Sequence, residues 1–376
     1  VLWFFFFLFL LFFCLFKFFF LCFFFTFKVT LLVFVVVLLG FGGVGRALAR
    51  QIVASRDSLA RRRGLKLNVI GAADSQGVAH AAQGLDDNAL MRLVALKEEG
   101  EHLAPGALPI LPTNCIVVDT TATDATVPVL LDALRAGGGV ALANKLPLAG
   151  ELEWFDAITA GHARWETTVG AAMPVIQTLS YLLDSGDRVL RIEGCLSGTL
   201  GFIAAQLEAG VSFGDAVRDA KQRGYTEPDP RQDLGGKDAA RKALILARML
   251  GCRLNLSDVR IESLYPPEMD ALTIEAFLRE VDSLNARMAQ RATELTRGGR
   301  KLRYIAVIEG RECRVELAGV DAANKLASIR TSDSIVVFTT KHYCENPLAI
   351  SGRGAGQEVT ASGVLGDVVS LASEMR

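Results

Sequence analysis

Val35-Val-Val-Leu-Leu39, then Gly40-Phe-Gly-Gly-Val-Gly45, then Arg46-Ala-Leu-Ala-Arg-Gln-Ile-Val-Ala54 is the stretch that settles the architecture. The first five residues are an unbroken apolar run, the pattern of a strand buried on both faces of a parallel sheet. The last nine read as a helix. Gly-x-Gly-x-x-Gly is a weak signal alone and a strong one between a strand and a helix. Gly40 permits the turn, Gly42 lets the backbone approach a pyrophosphate, and Gly45 lets helix and strand pack closely. Gly43 and Val44 complete the loop, where free N–H groups and the helix dipole favour an anion. The expectation is an α/β chain with a Rossmann-type doubly wound parallel sheet that binds a dinucleotide.

Downstream, residues 67–73 form a second apolar strand ending at Asp74. An acid at that end accepts a hydrogen bond from a ribose 2′-OH, usually about 20 residues after the glycines. Here it lies further on, because residues 56–66 lengthen the first helix or its loop. Asp74 leans the choice towards NAD and leaves NADP open; Arg61, Arg62 and Arg63 are near in sequence only. A polar-faced helix is expected within 84–100, a buried strand over 115–119 and a helix over 127–136. Thr120 and Thr121 then fall at a strand's carboxyl end, the edge where such sheets bind ligands. A strand over 140–143 delivers Asn144 and Lys145 to the same edge.

Upstream, the chain changes character. Sixteen of the 22 phenylalanines lie in residues 1–39, with Lys17 and Lys28 the only charges there. By length and hydropathy that is a membrane span or a long signal. The initial Val1 and the poly-Phe composition instead suggest a tail over 1–29 that is artefactual or a targeting segment. The rest is ordinary in charge: a net charge of −1 with no basic block gives nucleic acid nothing to bind. Seven cysteines without Cys-x-x-Cys spacing argue against a disulfide framework or zinc site and for a reducing compartment. Four scattered histidines form no ligand cluster.

The second half centres on Ala220-Lys-Gln-Arg-Gly-Tyr-Thr-Glu-Pro-Asp-Pro-Arg-Gln-Asp-Leu-Gly-Gly-Lys-Asp-Ala-Ala-Arg-Lys242. It concentrates Glu227, Asp229, Asp233 and Asp238 ahead of Lys242, and Pro228 and Pro230 stiffen the Glu227 loop. A helix from Lys237 places Asp238 and Lys242 at i and i+4 on one face. An exposed pair of that kind is common and weak. After a rigid acidic loop it suits a site for a small amino-bearing molecule, with a lysine as acid or base.

This stretch closely resembles the signature of homoserine dehydrogenases, and supporting segments run from about residue 40 to residue 375. The resemblance implies hydride transfer between a nicotinamide cofactor, NADP or NAD, and L-homoserine or L-aspartate 4-semialdehyde. It implies Lys242 and Lys145 as acid/base candidates with Asp238 tuning them, and Glu227, Tyr225, Asp233 and Thr199 at the substrate. Thr121 falls beside the nicotinamide, Lys145 beside the substrate, and Gly356 in a second glycine-rich run that touches the cofactor. Residues 165–174, read as a strand leading to a helix, resemble the family's sodium-binding segment, which implies backbone carbonyls of Glu166, Val169, Ala171 and Met173 as ligands. The expected division is 30–149 for the dinucleotide, 150–346 for an α+β catalytic and dimerisation domain, and 347–376 returning to the first domain. The resemblance further implies a homodimer in cytoplasm or plastid stroma, and the chain's end suggests a form without aspartokinase or C-terminal regulatory domains. A long amphipathic helix is expected over 273–296 and strands over 303–309, 313–317 and 335–340. The rivals are another dehydrogenase on the same architecture, a nucleotide-sensing protein without chemistry, and a membrane protein resting on the Phe-rich tail alone.

Overall fold

The computed structural model describes residues 31–108, 110–329 and 333–376; the Phe-rich tail lies outside the described residues. The apolar run becomes β1 (Leu32–Leu39) and leads through the glycine loop into α1 (Gly43–Arg63). Next come β2 (Leu65–Ala73), the short β3 (Val78–His80), α2 (Asp87–Glu98), β4 (Ile116–Asp119) and α3 (Val127–Arg135). After them come β5 (Gly139–Leu142), α4 (Leu146–Ala149), α5 (Leu152–Thr159) and β6 (His162–Arg164). Six strands form one sheet in the order β3-β2-β1-β4-β5-β6. All neighbours are parallel except β3, which folds back antiparallel on β2. Alternation along β1 divides the core: Val36 and Leu38 face α1, while Val37 and Leu39 join Leu130, Phe155 and Ile158 on the opposite face. That is the doubly wound layering the apolar strands predict.

The chain continues through α6 (Val175–Asp184), β7 (Val189–Cys195), α7 (Gly198–Glu208), α8 (Phe213–Gln222), α9 (Arg231–Leu234) and α10 (Lys237–Met249). It finishes with β8 (Arg260–Ile261), α11 (Ile274–Glu280), α12 (Asn285–Leu295), β9 (Lys301–Glu309), β10 (Glu312–Val320), β11 (Ser334–Thr340), β12 (Leu348–Gly352) and α13 (Gln357–Glu374). The second sheet runs β12-β11-β7-β9-β10-β8 and is antiparallel except for β10 with β8. On β9, Leu302, Tyr304, Ala306 and Ile308 face the helical core, and Ile305 and Val307 face the other way. α13 then packs on the first sheet, burying Ala361, Val364, Val368 and Leu371 against the α1 side.

Two expected elements differ. Residues 273–296 are not one helix: α11 and α12 are separated by a 3-10 turn over Val281–Leu284. The break is tertiary in origin. Asp282 pairs with Arg218 of α8, and Asn285 Oδ1 accepts from Gly214 N at 2.8 Å, which fixes the chain where a continuous helix would run on. Residues 165–174 are not a strand. A 3-10 turn over Glu166–Thr168 is followed by left-handed backbone at Gly170 (φ 90°) and Ala171 (φ 53°). The Glu166 carboxylate accepts from Ile176 N and Gln177 N, so it caps α6 and bends the segment. Among the described residues no helix is long and apolar enough to cross a membrane.

Candidate active site

A cavity of about 660 Å³ opens where the carboxyl ends of β1, β4 and β5 meet α9, α10 and the segment before α13. Val44, Thr121, Lys145, Glu227, Asp238 and Lys242 are on its wall. The glycine loop explains its own composition. Gly40 sits at φ 87°, and a Cβ there would lie 2.7 Å from the Thr120 carbonyl carbon. A Cβ on Gly45 would run into the Gly40 carbonyl oxygen, and one on Gly43 would meet the Gln357 amide. A Cβ on Gly42 would meet nothing within 4 Å, so that face of the loop is open. An open glycine beside the start of a 21-residue helix fits a pyrophosphate.

Asp119, fully buried at the end of β4, organises the neighbouring edge. Its Oδ1 accepts from Thr121 N (2.8 Å) and Thr121 Oγ1 (2.7 Å), and its Oδ2 from Thr126 Oγ1 (2.7 Å) and Asn144 Nδ2 (3.0 Å). Asn144 also donates to Thr123 O at 2.7 Å, while its Oδ1 accepts from Leu146 N at 3.1 Å. The network fixes the main chain on both sides of Lys145. Thr120 Oγ1 donates to Gly40 O at 2.6 Å, tying this edge to the glycine loop. Asp119 is a residue sequence reasoning passed over, because a strand-terminal aspartate carries no distinguishing spacing.

Asp238 joins the two halves of the cleft. Its Oδ2 is 2.8 Å from Lys242 Nζ one turn along α10, and its Oδ1 is 3.3 Å from Lys145 Nζ on the first sheet's edge. Lys242, only 9% exposed, also donates to Leu196 O at 2.7 Å. Burial pushes the Asp238 carboxyl up, but the Lys242 and Lys145 ammonium groups outweigh it and hold the group below the usual carboxylate range. Burial lowers the Lys145 pKa; the Asp238 charge opposes that, and Lys242 adds to it. Two lysines that share one carboxylate, one of them destabilised in its charged form, can deliver a proton to, and take one from, an oxygen in the cleft.

The acidic loop divides its labour differently from expectation. Glu227 and Asp233 reach the cleft wall. Asp233 Oδ2 accepts from Glu227 N at 2.8 Å and Oδ1 from Thr199 Oγ1 at 3.1 Å, so Asp233 first holds the Glu227 loop in place. Burial raises the Asp233 pKa, and the nearby Glu227 and Asp238 charges reinforce that. Thr199, expected as a substrate contact, spends its hydroxyl on Asp233 and on Tyr225 O. The cap of α7 is Ser197, accepting from Leu200 N. Tyr225 turns away: its ring lies edge-on to Phe202 with centroids 5.1 Å apart and is not part of the cleft wall. Asp229 also faces elsewhere, doubly bonded to the Arg231 guanidinium. Gln232, Arg241 and Thr360 are on the wall without having been anticipated.

At the other end of the loop, Asp74 is occupied by protein donors. Gln76 N and Gly77 N donate to Oδ1 at 2.8 and 3.0 Å, and Lys97 Nζ is 2.9 Å from Oδ2. Along the 166–173 turn, Glu166 O accepts from Val169 N and Met173 O from Val175 N. The carbonyls of Val169 and Ala171 accept no main-chain N–H among the described residues. No group of three or more His, Cys, Asp or Glu among the described residues could hold a metal.

A family model described as "Homoserine dehydrogenase, NAD binding domain" matches residues 40–169, and one described as "Homoserine dehydrogenase" matches residues 174–369. The chain belongs to the homoserine dehydrogenase family. The homoserine dehydrogenase of Schizosaccharomyces pombe is 32% identical over 361 residues, covering 91% of this chain and 96% of that one. A maize bifunctional aspartokinase/homoserine dehydrogenase 2, chloroplastic, is 36% identical over 354 residues, or 90% of this chain. The chain spans 38% of the length of that longer relative. Among solved structures, a hyperthermophilic archaeal homoserine dehydrogenase in complex with NADPH superposes with a TM-score of 0.71 at 26% identity, covering 91% of this chain and 98% of that one.

Proposed function

We propose that this chain is an NAD(P)-dependent oxidoreductase interconverting L-homoserine and L-aspartate 4-semialdehyde, a step in threonine, methionine and isoleucine synthesis. The observation that carries this reading is the Lys145–Asp238–Lys242 cluster facing an open glycine loop across one cleft. Gly40, Gly42, Gly43, Val44 and Gly45 would hold the pyrophosphate, with Thr121 and Gly356 at the nicotinamide end of the cleft. When bound, the nicotinamide ring supplies or accepts the hydride at its C4.

The remaining work falls to side chains. Glu227 accepts the substrate ammonium, held in position through its own N–H by Asp233. Lys242 Nζ, with two of its three protons directed at Asp238 and Leu196 O, turns the third to the substrate oxygen. Lys145 Nζ stands on the other side of Asp238 and is the second proton carrier. A sodium ion on the carbonyls of Glu166, Val169, Ala171 and Met173 belongs to the same reading, supported by the two unclaimed carbonyls in that turn. So do a homodimer through the second sheet and the division at about residues 149 and 346, which α13 packing on the first sheet supports. Cytoplasm or plastid stroma is the matching compartment, in keeping with five free cysteines among the described residues.

The test is direct. Purified chain mixed with aspartate semialdehyde should consume NADPH or NADH, read as loss of nicotinamide absorbance. A folded protein that turns over neither cofactor would sink the assignment.

A further inference from the structure

The fully buried Asp119 carboxylate takes its hydrogen bonds from uncharged donors alone, a costly arrangement unless each acceptor site is used. Asp119 is not on the cleft wall, so it reaches no bound molecule directly. What it holds is Asn144, itself only 3% exposed. Asn144 Oδ1 accepts from Leu146 N two residues on, an Asx turn that gives the first N–H of α4 its acceptor. Lys145 occupies the cap position of that helix and makes no capping bond with its own side chain, so its ammonium is free to reach Asp238. The turn needs the Asn144 amide in one orientation, with its NH2 group towards Asp119 Oδ2, Thr121 Oγ1 and Thr123 O. A carboxylate accepts at both oxygens and so favours that orientation alone. The charges that bear on Lys145 are those of Asp238, Lys242 and Arg241, so Asp119 acts on it through geometry.

We propose that Asp119 is a positioning residue for the proton transfer: through the Asn144 amide it fixes Lys145 within reach of Asp238. The proposal rests on the reading that Lys145 carries a proton in this cleft. An amide at position 119 would keep the shape of the carboxylate and lose its pattern. Thr121 N is a main-chain donor that cannot turn, so the amide oxygen has to stay at the Oδ1 position. Its NH2 group then faces the Asn144 NH2 group, where Oδ2 now accepts at 3.0 Å. Two donors oppose each other there, and the turn that carries Lys145 loosens.

The experiment compares Asp119→Asn, Asn144→Ala and the double variant of the full chain, by steady-state reduction of aspartate semialdehyde and by fluorescence titration with NADPH and NADH. Each single substitution should lower kcat by about 10–100-fold, the loss that a small misplacement of a reacting group brings. Nucleotide affinity should stay within about threefold of wild type. The double variant should be no slower than the slower single one, because both substitutions break one contact. In both singles the basic limb of the pH–kcat/KM profile should move to lower pH. Lys145 drawn away from Asp238 is left with burial and the Lys242 and Arg241 charges, all of which favour the neutral amine. Losses that multiply in the double variant, or that nucleotide affinity matches, would mean a general structural effect and overturn the proposal. So would a folded Asn144→Ala with kcat within about threefold of wild type, a result that holds even if Asp119→Asn does not fold. A wild-type chain without turnover overturns the proposed reaction itself, a distinguishable result.

Discussion

Replacing Arg248 by Met should damage both stability and the active site. Arg248 is 3% exposed and lies in the last turn of α10, the helix that carries Asp238 and Lys242. Its Nη1 donates to Leu148 O at 2.8 Å, its Nη2 to Gly150 O at 2.7 Å and its Nε to Leu254 O at 3.0 Å. The guanidinium also lies 5.7 Å from the Phe155 ring centroid. Leu148 and Gly150 are at the end of α4, which begins one residue after Lys145. One side chain therefore fixes the distance between the two lysine-bearing elements. Methionine fills much of the space and supplies none of the three donors. Each hydrogen bond from a charged group is worth about 1.5–3 kcal/mol, so their sum is an upper bound of roughly 5–9 kcal/mol. Relieving the desolvation of a buried guanidinium returns part of this, and a net loss of about 3–4 kcal/mol is expected. Urea unfolding followed by circular dichroism would read this as a lower midpoint at unchanged slope. Because Lys145 and Asp238 lose their common anchor, kcat should also fall. A loss below about 1 kcal/mol, the ordinary range for a single substitution, would refute the clamp.

Lys242→Ala should lower kcat by about 10²–10⁴-fold while leaving nucleotide binding nearly intact, checked by steady-state kinetics beside fluorescence titration. Asp238→Asn should move the basic limb of the pH–kcat/KM profile for aldehyde reduction to lower pH. The Asp238 charge raises the Lys145 pKa against burial, so its removal lets Lys145 lose its proton sooner; a shift to higher pH would contradict the shared-carboxylate picture. Gly45→Ala should destabilise the chain by about 1–3 kcal/mol, because the new methyl must displace the Gly40 carbonyl. Thermal unfolding of that variant at wild-type temperature would show the site has more room than the loop suggests.

Local patterns carried much of this protein in the sequence itself. An apolar run before Gly-x-Gly-x-x-Gly fixes a strand, a turn and a helix, because each part is dictated by neighbours a few residues away. The Asp238–Lys242 pair was legible for the same reason, since helical geometry sets i and i+4 side by side. Helix starts at Ser197 and Ser212 follow from capping chemistry of equally short range.

What only the tertiary structure decided has no such period. Lys145 and Asp238 meet because the first sheet's edge is packed against α10, a contact between distant stretches of chain that leaves no spacing to read. Asp119 under Asn144, Lys97 on Asp74 and Arg248 on α4 are of the same kind: ordinary charged residues given meaning by what folds against them. Where sequence expectation failed, the reason was again long range. The 273–296 helix breaks because Arg218 and Gly214 of α8 hold Asp282 and Asn285. Periodicity specifies elements, since backbone geometry repeats; the environment of a polar side chain depends on which distant element packs over it, and that is fixed when the core closes.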